Sequence, residues 1–421
     1  MKQQILFVDD EPNLLNGLRR MLRPMRQNWD MHFAESGPEA LHIIHQRPCD
    51  VVVSDMRMPG MDGSQLLHKI RQYSPETIRF ILSGHSDQSM ILRSVGPAHQ
   101  FLAKPCDAAE LKTTLARVCR LRYLLPDHAL LRLVTRIERL PSTPSVYDQV
   151  IDAMQEPAAD LETIAALLAC DMGMTAKILQ IVHSAFFGLQ RQLSSPIQAV
   201  DVLGLDTLQA IILKAQVFLA AEEHTPYDRA LQTLWAHSLA IATCARDIMA
   251  AQGGDAAELD EAFSAGLLHD VGTLVLITHL PELYNRSREL IAAQNLSACS
   301  AENDVIGATH AQVGAYLMGL WGLSDAIIDT LAYHHQPSAC PTQAWSPLAA
   351  VHIAETLVHE LMPTIALGNT PALDMDYLET LGLWHRLPVW REHAQQALQQ
   401  HLSAIEGRQP FYIQPEVASH V

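Results

Sequence analysis

Five short strand-like runs recur in the first 120 residues, near 5–8, 29–34, 51–54, 79–82 and 100–102, most of them rich in Val, Ile, Leu or Phe, each followed by a helix-length amphipathic stretch. Strands that alternate with helices form a parallel sheet, because a chain that crosses back through a helix returns in the same direction. The spacing therefore predicts an α/β doubly wound unit of flavodoxin-like type, a five-stranded parallel sheet with helices on both faces. Sites in such sheets lie beyond the carboxyl ends of the strands. The polar residues that carry chemistry fall there: Asp9 and Asp10 after Ile5-Leu-Phe-Val8, Asp55 after the third run, Ser83 after Phe80-Ile-Leu82, and Lys104 after Phe101.

A carboxylate attacks a phosphoryl group only when the charge on the transferring oxygens is neutralised, and a hard divalent ion held by carboxylates and waters does this. Asp55 reads as the phosphoacceptor. Asp9, Asp10 and Asp55 would hold Mg2+, with the backbone carbonyl of Arg57 as a further ligand. Lys104 would pair with the phosphoryl oxygens, the Ser83 hydroxyl would bond one of them, and Phe101 would follow as the packing switch. Taken singly, Asp55 is a strand-end turn residue, Asp9-Asp10 a helix cap before Pro12, and Lys104 a solvated lysine; their joint order argues against that. The set resembles the receiver domain of two-component response regulators over about residues 1–122. The resemblance implies a cognate histidine kinase as phosphodonor.

At 421 residues the chain calls for two or three domains. Its 29 basic against 46 acidic residues, a net charge of -17, would repel nucleic acid and anionic lipid, and no useful Lys/Arg run offsets this. DNA and membrane partners are disfavoured. Seven scattered cysteines without a close pair fit free thiols in a reducing compartment, and neither a signal peptide nor an 18-residue apolar run is present, so a cytoplasmic location is expected. The last helix of the first unit, from near Ala108, carries Leu111, Leu115, Val118 and Leu125 on one stripe. That stripe suits a lever, a contact with a second copy in a homodimer, or packing on its own sheet.

From about residue 130 helix patterns take over, so an all-α region is expected. The boundaries read as 1–122 for the receiver, 123–134 for a linker helix, 135–360 for a helical domain (lobe 135–220, bundle 230–360), and 361–421 for C-terminal helices and a frayed tail. Leu140-Pro-Ser-Thr-Pro144, Asp171-Met-Gly-Met-Thr-Ala-Lys-Ile-Leu179, His183-Ser-Ala-Phe-Phe-Gly188 and Ala199-Val-Asp-Val-Leu-Gly204 together resemble the HDOD family, helical output modules related to HD phosphohydrolases. The sequence departs from that family at Met172, usually proline, and at His183, usually asparagine.

The bundle adds His237, His269-Asp270, His310, His334-His335 and Glu355. Imidazoles and carboxylates in this mix suit Fe, Mn, Zn or Ni. Their order resembles the metal-binding pattern of HD-domain phosphohydrolases, including the HD-GYP cyclic di-GMP phosphodiesterases. Thr273 stands where those enzymes carry a phosphate-binding lysine, Gln336-Pro-Ser replaces their Gly-Tyr-Pro, and the last acid is Glu. Two outputs stay open: a module that binds another signalling protein, or a receiver-gated, metal-dependent phosphodiesterase with a (cyclic di)nucleotide ligand. His224, His279, His352 and His359 read as surface or core histidines, and Met154, Met172, Met174 and Met249 as core filler.

Overall fold

The computed structural model describes residues 2–83, 97–104, 107–156, 160–183, 193–214, 218–221, 226–365 and 371–407. Strands β1 (Gln3–Val8), β2 (Trp29–Ala34), β3 (Val51–Asp55), β4 (Ile78–Ser83) and β5 (Gln100–Ala103) form one sheet in the order β2-β1-β3-β4-β5, parallel throughout. Strand β3 is buried along its whole length, which is why it reads as a continuous apolar run rather than an alternation. The strand order reverses between β1 and β3, so the crevice of this sheet opens where Asp9 and Asp55 stand.

The last helix of this unit, Ala108–Leu121, buries Leu111, Leu115 and Val118 completely. Its far end meets the helical half. A side chain in place of Gly319 would come within 2.2 Å of Leu121, so the bare glycine backbone of the helix His310–Leu320 is what admits Leu121 there. Arg117 donates to the Leu323 carbonyl at 3.1 Å and pairs with Asp325 at 3.3 Å. The apolar stripe thus packs within the chain, on its own unit and on the neighbouring half.

Strand β5 makes the same junction. Gln100, nearly buried, donates from Nε2 to the carbonyls of Gly319 (3.0 Å) and Leu320 (2.9 Å). The imidazole of His99 accepts the Arg79 backbone N–H on Nδ1 and donates from Nε2 to the Thr135 carbonyl at 2.9 Å. Thr135 ends the helix His128–Thr135, one residue past the segment expected to be a linker, and its hydroxyl lies 2.9 Å from the Tyr316 hydroxyl. Lys177, buried, donates to the Glu138 carbonyl and to Gln180, which in turn donates to the His99 carbonyl.

The second half is helical with one correction. A two-residue parallel pair, β6 (Pro141–Ser142) with β7 (Leu219–Ala220), persists where no strand was expected; two residues are too few to produce a period. The long helix Asp228–Ala251 is the axis of the bundle, packed by Ala256–Leu268, Pro347–Leu361 and Leu387–Gly407. The last of these seats Trp390 fully buried against Trp345, with rings 5.4 Å apart. The four methionines read as filler, 154, 172, 174 and 249, are all buried. The frayed tail expected at the C-terminus and His224 lie outside the described residues. One apolar stretch escaped the sequence reading: Ala256–His279 is long and apolar enough to cross a membrane, yet 83% of that window is buried inside the fold.

Candidate phosphoacceptor site and histidine cluster

Asp55 ends β3 and Asp9 follows β1, so neighbouring parallel strands set their carboxylates side by side. The Lys104 ammonium, just past β5, bridges them, 2.7 Å from Asp9 Oδ2 and in contact with Asp55 Oδ1. The Arg57 backbone N–H donates to Asp55 Oδ2 at 3.0 Å, and the Glu11 N–H to Asp9 Oδ1 at 2.9 Å. Burial pushes the Asp55 carboxyl above its ordinary range, against the pull of Lys104. For Lys104 burial works the other way, and the two carboxylates outweigh it and raise the ammonium. The loop that follows Asp55 is drawn tight: a Cβ on Gly63 would lie 2.1 Å from the Asp55 carbonyl, which only glycine permits. Asp10 is exposed at the rim, and Phe101 is buried on β5. Ser83 ends β4 opposite Ala103, with its side chain outside the described residues.

The candidate ligands of the bundle come from five places along the chain, on or between six helices, and converge. His237 sits within Asp228–Ala251, His269 and Asp270 between Ala256–Leu268 and Val271–His279, His310 begins His310–Leu320, His334 and His335 follow Asp325–Tyr333, and Glu355 lies in Pro347–Leu361. Close approach depends on Gly272, where a Cβ would fall 1.9 Å from the His310 carbonyl. Asp270 is the hub: Oδ1 is 3.2 Å from His310 Nε2, and Oδ2 lies 3.5 Å from His269 Nε2 and 3.7 Å from His237 Nε2. His335 is 2.9 Å from His310 through their Nε2 atoms, and its Nδ1 is 3.5 Å from Glu355.

The outer hydrogen bonds fix how these rings face. His269 Nδ1 donates to the Gly266 carbonyl (2.6 Å), His334 Nδ1 to the Leu331 carbonyl (2.9 Å), and His310 Nδ1 to Glu302 (2.7 Å). A ring whose Nδ1 is spent on a carbonyl or carboxylate presents its Nε2 lone pair inward, as in metal sites. His269 Nε2, His334 Nε2, His237 Nδ1 and Glu355 Oε2 are buried with no hydrogen-bond partner among the described residues. Ligand atoms of His237, His269 and Glu355, and separately of Asp270, His310 and His334, lie within 4.8 Å of one another. The same holds for His334, His335 and Glu355, and for Cys299, His310 and His335. The ligands of a tetrahedral ion at ~2.1 Å stand about 3.4 Å apart, so small inward shifts suffice.

The charge of the cluster is centred on Asp270 and His310. Burial alone would raise Asp270, but the imidazoles around it hold it far below the carboxylate range. His310 is raised to about 9, since Glu302 and Asp270 outweigh its burial, and His335 is lowered to about 3 by burial and His310. Burial pushes Glu355 well up.

Thr273, at the position of the missing lysine, turns its hydroxyl to Asp270 Oδ1 at 3.3 Å. His279 is exposed; His352 is buried and bonded to the His334 carbonyl and the Asp374 N–H. His183 caps Met172–Val182, its ring between the carbonyls of Gly322 and Leu193. Glu302, eight residues before His310 on Ala298–Ile306, was not singled out in the sequence, and nothing local marks it.

The response regulator receiver domain family matches residues 5–116, and the HDOD domain family matches residues 140–337. An uncharacterized protein of Treponema pallidum (strain Nichols) is 26% identical over 239 residues, 57% of this chain and 45% of that protein. Transcriptional regulatory protein GlrR of Escherichia coli (strain K12) is 36% identical over 104 residues, 24% of this chain and 23% of its own length. Among solved structures, the MmoQ response regulator of Methylococcus capsulatus (strain Bath) is 26% identical and covers 58% of this chain and 98% of its own, with a TM-score of 0.44. The chain spans less than half the length of the curated relatives it matches.

Proposed function

Because the chain is a response regulator, with a receiver domain at residues 5–116 and an HDOD output domain at residues 140–337, we propose that phosphorylation of Asp55 controls an HDOD half that acts by binding another signalling protein. The phosphodonor of a receiver is usually a histidine kinase; an Asp55 carboxylate oxygen attacks phosphorus, the bond to the donor nitrogen breaks, and the imidazole leaves. Receivers usually bind Mg2+, which neutralises the phosphoryl oxygens. Asp9, Asp10, Asp55 and the Arg57 carbonyl would hold it, and the bridging of Asp9 and Asp55 by the Lys104 ammonium supports that reading of the pair. After transfer, Lys104 is the group placed to follow the new charge, and Phe101 lies on the same strand.

The observation that carries the output reading is the seating of Gln100, next to Phe101 on β5, on the carbonyls of Gly319 and Leu320. Any shift of β5 on phosphorylation acts directly on the helix His310–Leu320. In the bundle, the inward Nε2 atoms and orphaned carboxylate oxygen suit a borderline transition ion such as Fe, Mn, Zn or Ni, whose role here is to hold these helices together. Hydrolysis is not favoured: Thr273 is committed to Asp270, and His237, His269, Asp270, His310, His334 and Glu355 are all buried. The acidic composition and scattered thiols are consistent with a cytoplasmic, DNA-independent role. The test is hydrogen exchange across residues 140–337 before and after acetyl phosphate with Mg2+. A difference in the wild type that is missing in Asp55→Asn is expected; no difference in the wild type would refute control by Asp55.

A further inference from the structure

The helix Pro347–Leu361 brings a second side chain to the cluster. His359 follows Glu355 by four residues, and such residues share a helix face. The sequence offered no role for it beyond surface or core. In the structure it is 5% exposed, with its ring 5.1 Å from that of His237. Both of its ring nitrogens are buried with no hydrogen-bond partner among the described residues. Buried polar atoms are nearly always partnered, so two orphans on one ring call for an explanation. A core position in want of apolar volume would be filled by leucine at lower cost.

The orphans around His359 form a pattern. His237 Nδ1, His269 Nε2 and Glu355 Oε2 are also buried and unpartnered, and His237, His269 and Glu355 bring ligand atoms within 4.8 Å of one another. Asp270, His310 and His334 form a second set, joined to the first through the set of His334, His335 and Glu355. We propose that His359 is a metal ligand: its ring, which stands against His237 but outside the 4.8 Å set, turns in to complete with His237, His269 and Glu355 a closed position of three imidazoles and one carboxylate for a borderline divalent transition metal, beside the position formed by Asp270, His310 and His334. Three nitrogens and one oxygen suit tetrahedral Zn2+ or Co2+ and leave no open place for a reacting water, as in structural sites. This inference rests on the reading of the bundle as a metal site.

The test is a titration of the full-length, metal-stripped protein with Co2+, whose visible absorption reports coordination geometry, beside His359→Gln and His359→Leu. Leucine fills the volume without a nitrogen, and circular dichroism of the metal-free proteins establishes that both variants fold. Two Co2+ per chain are expected for the wild type, one with a tetrahedral spectrum. Each variant should lose that spectrum, with affinity for one of the two ions down at least ~10-fold. Wild-type stoichiometry and spectrum in both variants would overturn the role of His359 while leaving the bundle a metal site. A wild type that takes up no Co2+ would overturn the metal reading itself, and this inference with it.

Discussion

Gln100→Ala should release the output half without phosphorylation. The substitution deletes two buried hydrogen bonds, at 3.0 and 2.9 Å, and takes the side-chain partner from the Leu320 carbonyl, while the Gly319 carbonyl keeps the Gly322 N–H at 3.2 Å, in a junction closed by Leu121 and Gly322. Each bond is worth about 1 kcal/mol net, and a carbonyl left buried without a partner adds to that, for about 2–3 kcal/mol of docking energy in all. Docked and undocked populations then shift by about 30- to 150-fold. Hydrogen exchange over residues 310–320, read by mass spectrometry in an Asp55→Asn background, should rise in the variant. With Asp55 restored, the change caused by acetyl phosphate should shrink, because part of the release has already happened. Gln100→Glu keeps the shape, loses the donor and sets a negative charge against two carbonyls, so its effect should be at least as large. Wild-type exchange in both variants, with the full response to acetyl phosphate, would refute coupling through this contact.

Asp55→Asn should abolish phosphoryl incorporation from acetyl phosphate while the circular dichroism spectrum stays that of the wild type, since shape is kept and the nucleophile is lost; persistent labelling would place the acceptor elsewhere. His269→Ala with Asp270→Ala should remove bound transition metal by elemental analysis, and a wild type holding less than about a tenth of an equivalent after growth with Mn, Fe or Zn would dismiss the site. Lys177 predicts a pH effect: burial lowers its amine to about 7 against the pull of Glu138. Between that value and the unfolded value of 10.5 the unfolded chain holds a proton the folded chain has released, so this group makes stability rise with pH, by at most about 1.4 kcal/mol per unit. Urea midpoints of wild type and Lys177→Met at pH 7, 8 and 9 should diverge, with the wild type gaining; parallel midpoints would mean that the amine stays protonated.

The receiver sheet was legible because parallel strands buried on both faces read as apolar runs, and their polar chemistry is forced to their carboxyl ends. Asp9, Asp55 and Lys104 are 95 residues apart in sequence at the extremes; strand adjacency sets Asp9 beside Asp55, and the long Lys104 side chain reaches both from the end of β5, across β4. The bundle histidines were legible only as an order along the chain. What escaped depends on packing between distant helices: Gln100 meets carbonyls 219 and 220 residues later, and Glu302 reaches His310 from another helix. His359 was the most available of these, since its offset of four from Glu355 was visible in the sequence; without a place in the familiar order it carried no meaning until its nitrogens proved to be orphaned.

The helix His310–Leu320 joins the two halves of the chain. Its 11 residues span about 16 Å. At one end His310 is clamped between Glu302 and Asp270 in the cluster; at the other Gln100 holds its last carbonyls beside the strand that leads to Lys104. Halfway along, Tyr316 is tied to Thr135, so the helix is anchored at three points to groups that belong to different parts of the chain. A short rigid element held in this way moves as a unit, and whatever biases its position at one end is felt at the other. Linkage then runs in both directions: an ion that orders His310 favours one seating of Gln100, and a phosphoryl group at Asp55 that disturbs that seating changes ion affinity by the same factor. On this view an ion held by the cluster would not be an idle relic in a binding module: it would set the stiffness against which the receiver works.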